Sequence, residues 1–352
     1  MKRFRKFMIF GLGLLLSVFV ALFVASVTDI SPAYIIGGYL LLSAIPKPKG
    51  VLSVDVEIWQ NFIAENLFRG MEFVRNAYNA DQYVVGGHVV HIPNAGSAGG
   101  AKRNRTNLPA AVVRRGDLDV IYALDEFTTD PMLITDAEKV ELSYDKIASI
   151  LSDKLLLLKQ LIGDWMPYKW APAANIIRTT GGNVTAHLPS ATGNRKLLTV
   201  ADLRAAKTYL TNRGVPFEDR FALMDGNLLD QLVSELSANA NKDFSRAYDP
   251  TNGVIGKLEG FNIVERAQVV KYTNASTPVS IEPDTTAAAT DNSGVICYQK
   301  NAVEKAEGTI KFFEEKESPT YYGDIYSALV RLGGRIRRKD ENGLVAIVQA
   351  SA

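Results

Sequence analysis

Residues 143–163 read SYDKIASILSDKLLLLKQLIG. Ser143 suits an N-cap, because its hydroxyl can accept from an otherwise orphaned backbone N–H of the first turn. Asp145 falls in that turn, where the helix dipole favours an acid. Tyr144, Ile147, Leu151, Leu155, Leu158 and Ile162 recur at helical spacing and form one stripe, widened by Ile150, Leu157 and Leu161. Gly163 offers a C-cap. The spacing predicts one long helix with a broad apolar face. A buried helix of any α/β protein reads the same way, so the segments on either side decide what it belongs to.

Upstream, Tyr83–Val85 and His88–Ile92 read as strand, Gly96–Gly100 is flexible by composition, and Lys102, Arg103 and Arg105 make a basic tip. Ala111–Val113 and Leu118–Leu124 read as the returning strand, so residues 82–125 form a long hairpin with a charged, open end. Before it, Val54–Tyr78 places Ile58, Phe62, Leu67, Met71 and Val74 at helical spacing between Glu57, Glu65, Arg69 and Arg75. This is an amphipathic helix. Its apolar face fits a core of its own chain or a neighbouring subunit, and the pattern does not separate the two.

Downstream, Thr199–Asp202 reads as a capping box that starts a helix to about Arg213, with Gly214 and Pro216 as stop signals. Val215–Met224 approaches a strand. Asp225 is placed to cap a second helix carrying Leu228, Leu229, Leu232 and Leu236. Gly253–Val264 leads through a small loop into a strand, and Thr273–Ser293, poor in apolar residues, reads as a mobile loop. After Gly294 the expected order is strand, a short helix near Asn301–Glu307, the strand Thr309–Phe313 and a helix over Asp324–Leu332. Arg335–Arg338 and Leu344–Val348 then form a hairpin across an Asn-Gly turn.

Composition narrows the function. Apolar residues make up 47% and charged residues 22% of 352, so the chain has the means to build globular cores. The net charge is +1, but residues 1–50 hold six basic groups and one acid, leaving 33 basic and 37 acidic residues in the body, or −4. A body of that charge is not a general nucleic-acid binder. The single cysteine, Cys297, forms no intramolecular disulfide and reads as a small buried strand residue.

No set of residues reads as catalytic. His88 and His91 lie three apart in a strand and so point to opposite faces, which excludes a shared metal there. Gly100-Ala-Lys102 lacks the ending and the helix of a phosphate loop. The chain has no nucleophile elbow, no His-Glu-x-x-His and no cysteine pair. His187 sits in a polar stretch and reads as a surface residue, and Arg115-Gly-Asp117 is a three-residue match of the kind chance supplies. The expectation is a protein that is not an enzyme and holds no cofactor or metal.

The N-terminus stands apart. Phe7–Val27 is apolar over about the length of a bilayer and follows Lys2, Arg3, Arg5 and Lys6, which by itself reads as a signal anchor. Ala33–Ile45 is too short to span, and Pro46–Gly50 is a linker. A membrane anchor, a leader removed at maturation and an upstream extension all remain open.

Over residues 51–352 this order resembles the major capsid protein of tailed phages, the shell fold first seen in phage Hong Kong 97. An amphipathic arm comes first, then a long basic-tipped loop, a long apolar helix, a mixed region and a closing apolar strand. The resemblance implies an α+β fold with these parts: an N-terminal arm (51–81), an extended two-stranded loop (82–128), a peripheral domain with a spine helix (129–175), an axial domain (176–308), peripheral return strands (309–340) and a C-terminal strand (341–352). The apolar segment 1–50 departs from the family.

The implied function is self-assembly into hexamers and pentamers of an icosahedral head around double-stranded DNA, in the host bacterial cytoplasm. Scaffold, portal and decoration proteins are possible partners, and a membrane is one only if residues 1–50 are retained. The DNA would face the inner wall without sequence specificity. Lys102, Arg103 and Arg105 on the loop, and Ile58 and Phe62 on the arm, are the candidate inter-subunit contacts; the basic tip fits either a solvated loop or salt bridges to a neighbour. A bacterial nanocompartment shell shares the fold. The alternative of another class is a membrane-anchored extracytoplasmic binding or scaffolding protein.

Overall fold

The computed structural model describes residues 51–67, 71–94, 103–106, 118–135 and 146–352. The chain divides into two compact units, Met1–Glu57 and Ile58–Ala352; of the first, only the start of the helix Val51–Leu67 lies within the described residues. The expectations for residues 1–50, Gly96–Gly100, Lys102, Ala111–Val113 and the Ser143 cap lie outside them.

An eight-stranded sheet forms the centre of the larger unit. Three of its strands, Arg220–Asp225, Asn292–Gln299 and Leu344–Val348, are buried at every position. Strands covered on both faces read as continuous apolar runs, and Leu344–Val348 does. One edge of Asn292–Gln299 is shared. Its C-terminal half pairs with Arg220–Leu223 and its N-terminal half with Val270–Tyr272. Its other edge carries Leu344–Val348, which in turn pairs in parallel with Ile176–Arg178.

Two helices close this core, and both start where local signals put them. Thr199 and Asp202 form the full capping box of Val200–Asn212. The Asp225 carboxylate accepts from Leu228 N at 2.8 Å and caps Gly226–Ser234. Leu203, Ala206, Leu210, Leu228 and Leu232 pack against Phe261, Ile263, Val295, Cys297, Val345 and Ile347. Cys297 is fully buried, as its apolar flanks predict.

A second, five-stranded sheet is built on one long antiparallel hairpin, Val303–Ser318 with Gly323–Ile336. Tyr78–Asn79 joins one edge, and Asp125–Thr128 and Met132–Thr135 share the other. The spine helix, Lys146–Lys169, touches this hairpin. Leu155, Leu158, Ile162 and Met166 are buried along it at spacings of three and four, and Trp170, one position past its end, continues that face. The Trp170 ring lies 6.0 Å from Phe73 and 5.6 Å from Tyr298, and its Nε1 donates to Glu304 O at 3.1 Å.

Several expectations are corrected. The spine helix does not stop at Gly163. A Cβ there would lie 2.2 Å from the Arg266 guanidinium, which is held by Asp164 at 2.6 Å, so the glycine makes room for a clamp rather than an end. Leu157 and Leu161 do not widen the buried stripe; they are 57% and 36% exposed. The arm pattern over Val54–Tyr78 breaks into Val51–Leu67, one helical turn at Glu72–Arg75 and a strand at Tyr78–Asn79. Asn301–Glu307 is one 3-10 turn, Lys300–Ala302, running into the long strand.

Asp324–Leu332 is strand, not helix. Its apolar residues satisfy both periods, but burial alternates at Tyr326, Ala328, Val330 and Leu332, the period of a strand. The Asn342-Gly343 turn is present, with Gly343 at φ +95°. The segments it joins do not pair with each other: Arg335 lies opposite Glu304, and Leu344–Val348 enters the other sheet. The loop over Thr273–Ser293 is tied down rather than loose. Lys271 Nζ donates to Pro283 O and Thr285 O, and Arg195 Nη2 to Ala289 O and Asp291 O.

Candidate assembly surfaces

The described ends of the segment expected to form the extended loop make a three-stranded sheet of Val84–Val85, Val89–Asn94 and Leu118–Ala123. Opposed residues of an antiparallel pair share a face, so Val90 and Tyr122 lie on one side and His91 and Ile121 on the other. The inner side packs Val90 and Ile92 against Ala80, Leu124 and Ala306. The outer side leaves Val85 and Ile121 57% and 58% exposed. The turn between the first two strands of this sheet needs glycine: Gly87 has φ +73°, and a Cβ there would meet Thr309 Oγ1 at 1.9 Å. Thr309 N donates to Gly87 O at 3.1 Å, which presses the loop's base onto the long hairpin.

Charge reinforces that base. Glu304 is fully buried and accepts from Arg335 Nε at 2.6 Å. The Arg335 guanidinium lies 5.3 Å from the centre of the Tyr122 ring, and that of Arg337 3.7 Å from Tyr78. Burial, and then the Glu304 charge, push the Tyr122 phenol above its ordinary range. Burial also raises the Glu307 carboxyl, against the pull of Lys305.

The predicted contact residues that are described are exposed or half-buried. Arg103 and Arg105 are exposed, while Lys102 lies outside the described residues. On the arm helix Ile63 and Leu67 are buried, Ile58 is 55% exposed, and Phe62 is half-buried with its ring edge-on to Trp59 at 5.8 Å. Sequence reasoning missed three further exposed apolar groups: Val85 with Ile121, Leu156 with Leu157 on the spine helix, and Tyr321 with Tyr322 at the end of the long hairpin. Only the last had a signal, two tyrosines in the turn Pro319–Gly323.

His187 is not the surface residue expected. Its Nε2 lies 3.1 Å from Asp225 Oδ2, which also accepts from Ser293 Oγ at 2.5 Å. Burial alone would raise the Asp225 carboxyl. The bonds from His187, Ser293 and Leu228 N outweigh it and hold the carboxyl below its usual range. The carboxylate stands in the middle of this trio, whereas a serine nucleophile needs the histidine in that position. Burial raises the Cys297 thiol, away from the thiolate that reacts. Among the described residues no three His, Cys, Asp or Glu side chains gather to hold a metal, and no helix is long and apolar enough to cross a membrane.

A family model described as phage capsid protein matches residues 172–346, a span that holds most of the central sheet and the whole long hairpin. Solved structures share the architecture at low identity. One from Mycobacterium phage Che8 is 18% identical, with a TM-score of 0.52 over 78% of this chain and 90% of that one. The capsid of Ralstonia phage GP4 is 11% identical, with a TM-score of 0.57 over 79% and 87%. The capsid of Cyanophage P-SCSP1u is 16% identical, with a TM-score of 0.52 over the same shares. No curated protein matches the chain. The membrane-anchored alternative is not favoured. The match to the phage capsid protein family over residues 172–346, together with the capsid architecture across most of the chain, supports a major capsid protein, a structural subunit of the head shell.

Proposed function

We propose that copies of this subunit assemble as hexamers and pentamers of an icosahedral head that encloses double-stranded DNA, built in the host bacterial cytoplasm with scaffold and portal partners. The arm and the extended loop overlap neighbouring subunits, the spine helix and long hairpin give rigidity, and the axial sheet closes the capsomer. Its work is geometric and not enzymatic. The body charge of −4 keeps the inner wall from sticking to packaged DNA.

The observation that carries this reading is the outer side of the three-stranded sheet. A sheet face with Val85 and Ile121 more than half exposed costs free energy in water and gains it when a neighbour covers it. Each such contact is small, and a closed symmetric shell sums many of them. Lys102, Arg103, Arg105, Ile58 and Phe62 join it as contact residues.

The test is deletion of residues 97–105 from the full chain. The expected outcome is a folded subunit by circular dichroism that forms no closed particles in sedimentation and electron microscopy. Normal particles from the deletion would overturn the assignment of the loop as an assembly contact.

A further inference from the structure

The chain holds two Asn-Gly pairs, Asn252-Gly253 and Asn342-Gly343. In such a pair the asparagine is open to attack by the next backbone nitrogen, because glycine has no Cβ to shield it. The two pairs share a sequence but not a setting.

Asn252 is held at the groups that this attack must move. Its Nδ2 donates to Asp249 Oδ2 at 2.7 Å, and its backbone carbonyl accepts from Asn76 Nδ2 at 2.9 Å. Gly253 N donates to Pro250 O at 3.4 Å. Swinging the carboxamide or turning the Asn252–Gly253 peptide breaks these bonds.

Asn342 is held by its backbone nitrogen alone, which donates to Asp340 Oδ1 at 3.2 Å. Its Oδ1 is buried without a hydrogen-bond partner. Among the described residues Asn342 Nδ2, Asn342 O and Gly343 N have none either. The turn around them is fixed from outside the pair. Leu344 N donates to Glu341 O at 3.2 Å and Gln299 N to Gly343 O at 3.0 Å. The Glu341 carboxylate accepts from the backbone nitrogens of Ala173, Ala174 and Asn175. The Asn342–Gly343 peptide therefore turns, and the carboxamide swings, without losing a hydrogen bond.

We propose that Asn342 is a site of spontaneous deamidation in the folded chain and that the fold protects Asn252. Gly343 N gives up its proton to solvent and bonds to Asn342 Cγ. The Cγ–Nδ2 bond breaks, and Nδ2 takes a proton from solvent and leaves as ammonia. Water then opens the cyclic imide at one of its two carbonyls, which leaves aspartate or isoaspartate at 342. Water is consumed, ammonia is released, and nothing is oxidised or reduced.

The site has structural weight. The new carboxylate follows Asp340 and Glu341 directly, where the buried Oδ1 already lacks a donor. Isoaspartate also lengthens the backbone between the Glu341 clamp and Leu344–Val348. That turn joins Gly323–Ile336 of one sheet to Leu344–Val348 of the other, so the modification acts on the link between the two sheets.

Mass spectrometry tests it. The purified full chain is aged in mildly alkaline buffer, folded in one sample and unfolded in guanidinium in another, and then cut with trypsin. Residues 247–257 report on Asn252 and residues 340–352 on Asn342. In the folded chain the amide-to-acid mass gain appears in 340–352 about tenfold faster than in 247–257, the factor that one retained hydrogen bond supplies. An isoaspartyl methyltransferase labels the same peptide. In guanidinium the two rates come together. Asn342→Gln abolishes the gain in 340–352, and Asp249→Ala raises the rate at Asn252, with circular dichroism unchanged in both.

Equal rates in the folded chain overturn the proposal. So does a folded chain in which Asn342 stays intact while the unfolded chain reacts there. A difference that persists in guanidinium overturns it as well, because local sequence and not the fold would then set the rates.

Discussion

In the central sheet the strand Arg220–Asp225 is buried at all six positions, whereas the sheet under the extended loop buries one face and leaves Val85 and Ile121 open on the other. The two regions solve the burial problem differently. The central sheet has helices and neighbouring strands of its own chain to cover it. The loop sheet has cover on one side only, and its other side carries exposed apolar residues. A subunit of a shell divides its surface in this way: one part folds the chain, and another is finished by a neighbour.

This contrast can be broken at its strongest point first. Phe261 is fully buried against the central helices. Phe261→Ala leaves a cavity there and is expected to cost about 4 kcal/mol of stability, read from the urea midpoint. If unfolding is unchanged, the central sheet is not the folding core.

Asp225→Ala is the next largest. It removes the helix cap and leaves Ser293 and His187 without their acceptor, a loss of about 2 kcal/mol. Its pH signature has a definite sign. The Asp225 carboxyl titrates lower in the folded state than in the unfolded one. Its stabilisation is therefore fully present above the ordinary carboxylate range and is lost as pH falls through the lowered folded value. The variant should show a flatter acid limb when stability is measured against pH.

Thr199→Ala removes one half of the capping box and should cost about 1 kcal/mol, with the Val200–Asn212 helix retained by circular dichroism. Ile121→Asn closes the series from the other region. Its effect on unfolding should stay within about 0.5 kcal/mol, because the side chain is already in water. Particle yield should nevertheless fall. An equal loss of stability from Ile121→Asn and Phe261→Ala would erase the distinction between the two regions.

Much of the central core was legible because its signals are local. Thr199 and Asp202 meet within one turn, Asp225 caps the helix that follows it, and the apolar run around Cys297 is a buried strand. The proposed contact surfaces were less legible. Arg103 and Arg105 announced themselves by charge. Ile121 and Leu157 did not, because an apolar residue on a strand or helix reads as core until the structure shows that nothing covers it.

By itself the sequence determined the starts of the two central helices, at Thr199 and Asp225, and the buried cysteine, all of which depend on residues a few positions apart. The tertiary structure decided the rest. Gly323–Ile336 became a strand because Val303–Ser318 lies beside it and fixes the period of its burial. Leu344–Val348 left the turn before it for another sheet because an edge of Asn292–Gln299 was open to it. His187 was drawn in because Asp225, thirty-eight positions away, offered an acceptor. In each case the partner is distant in the chain, and no local pattern records which partner will be near.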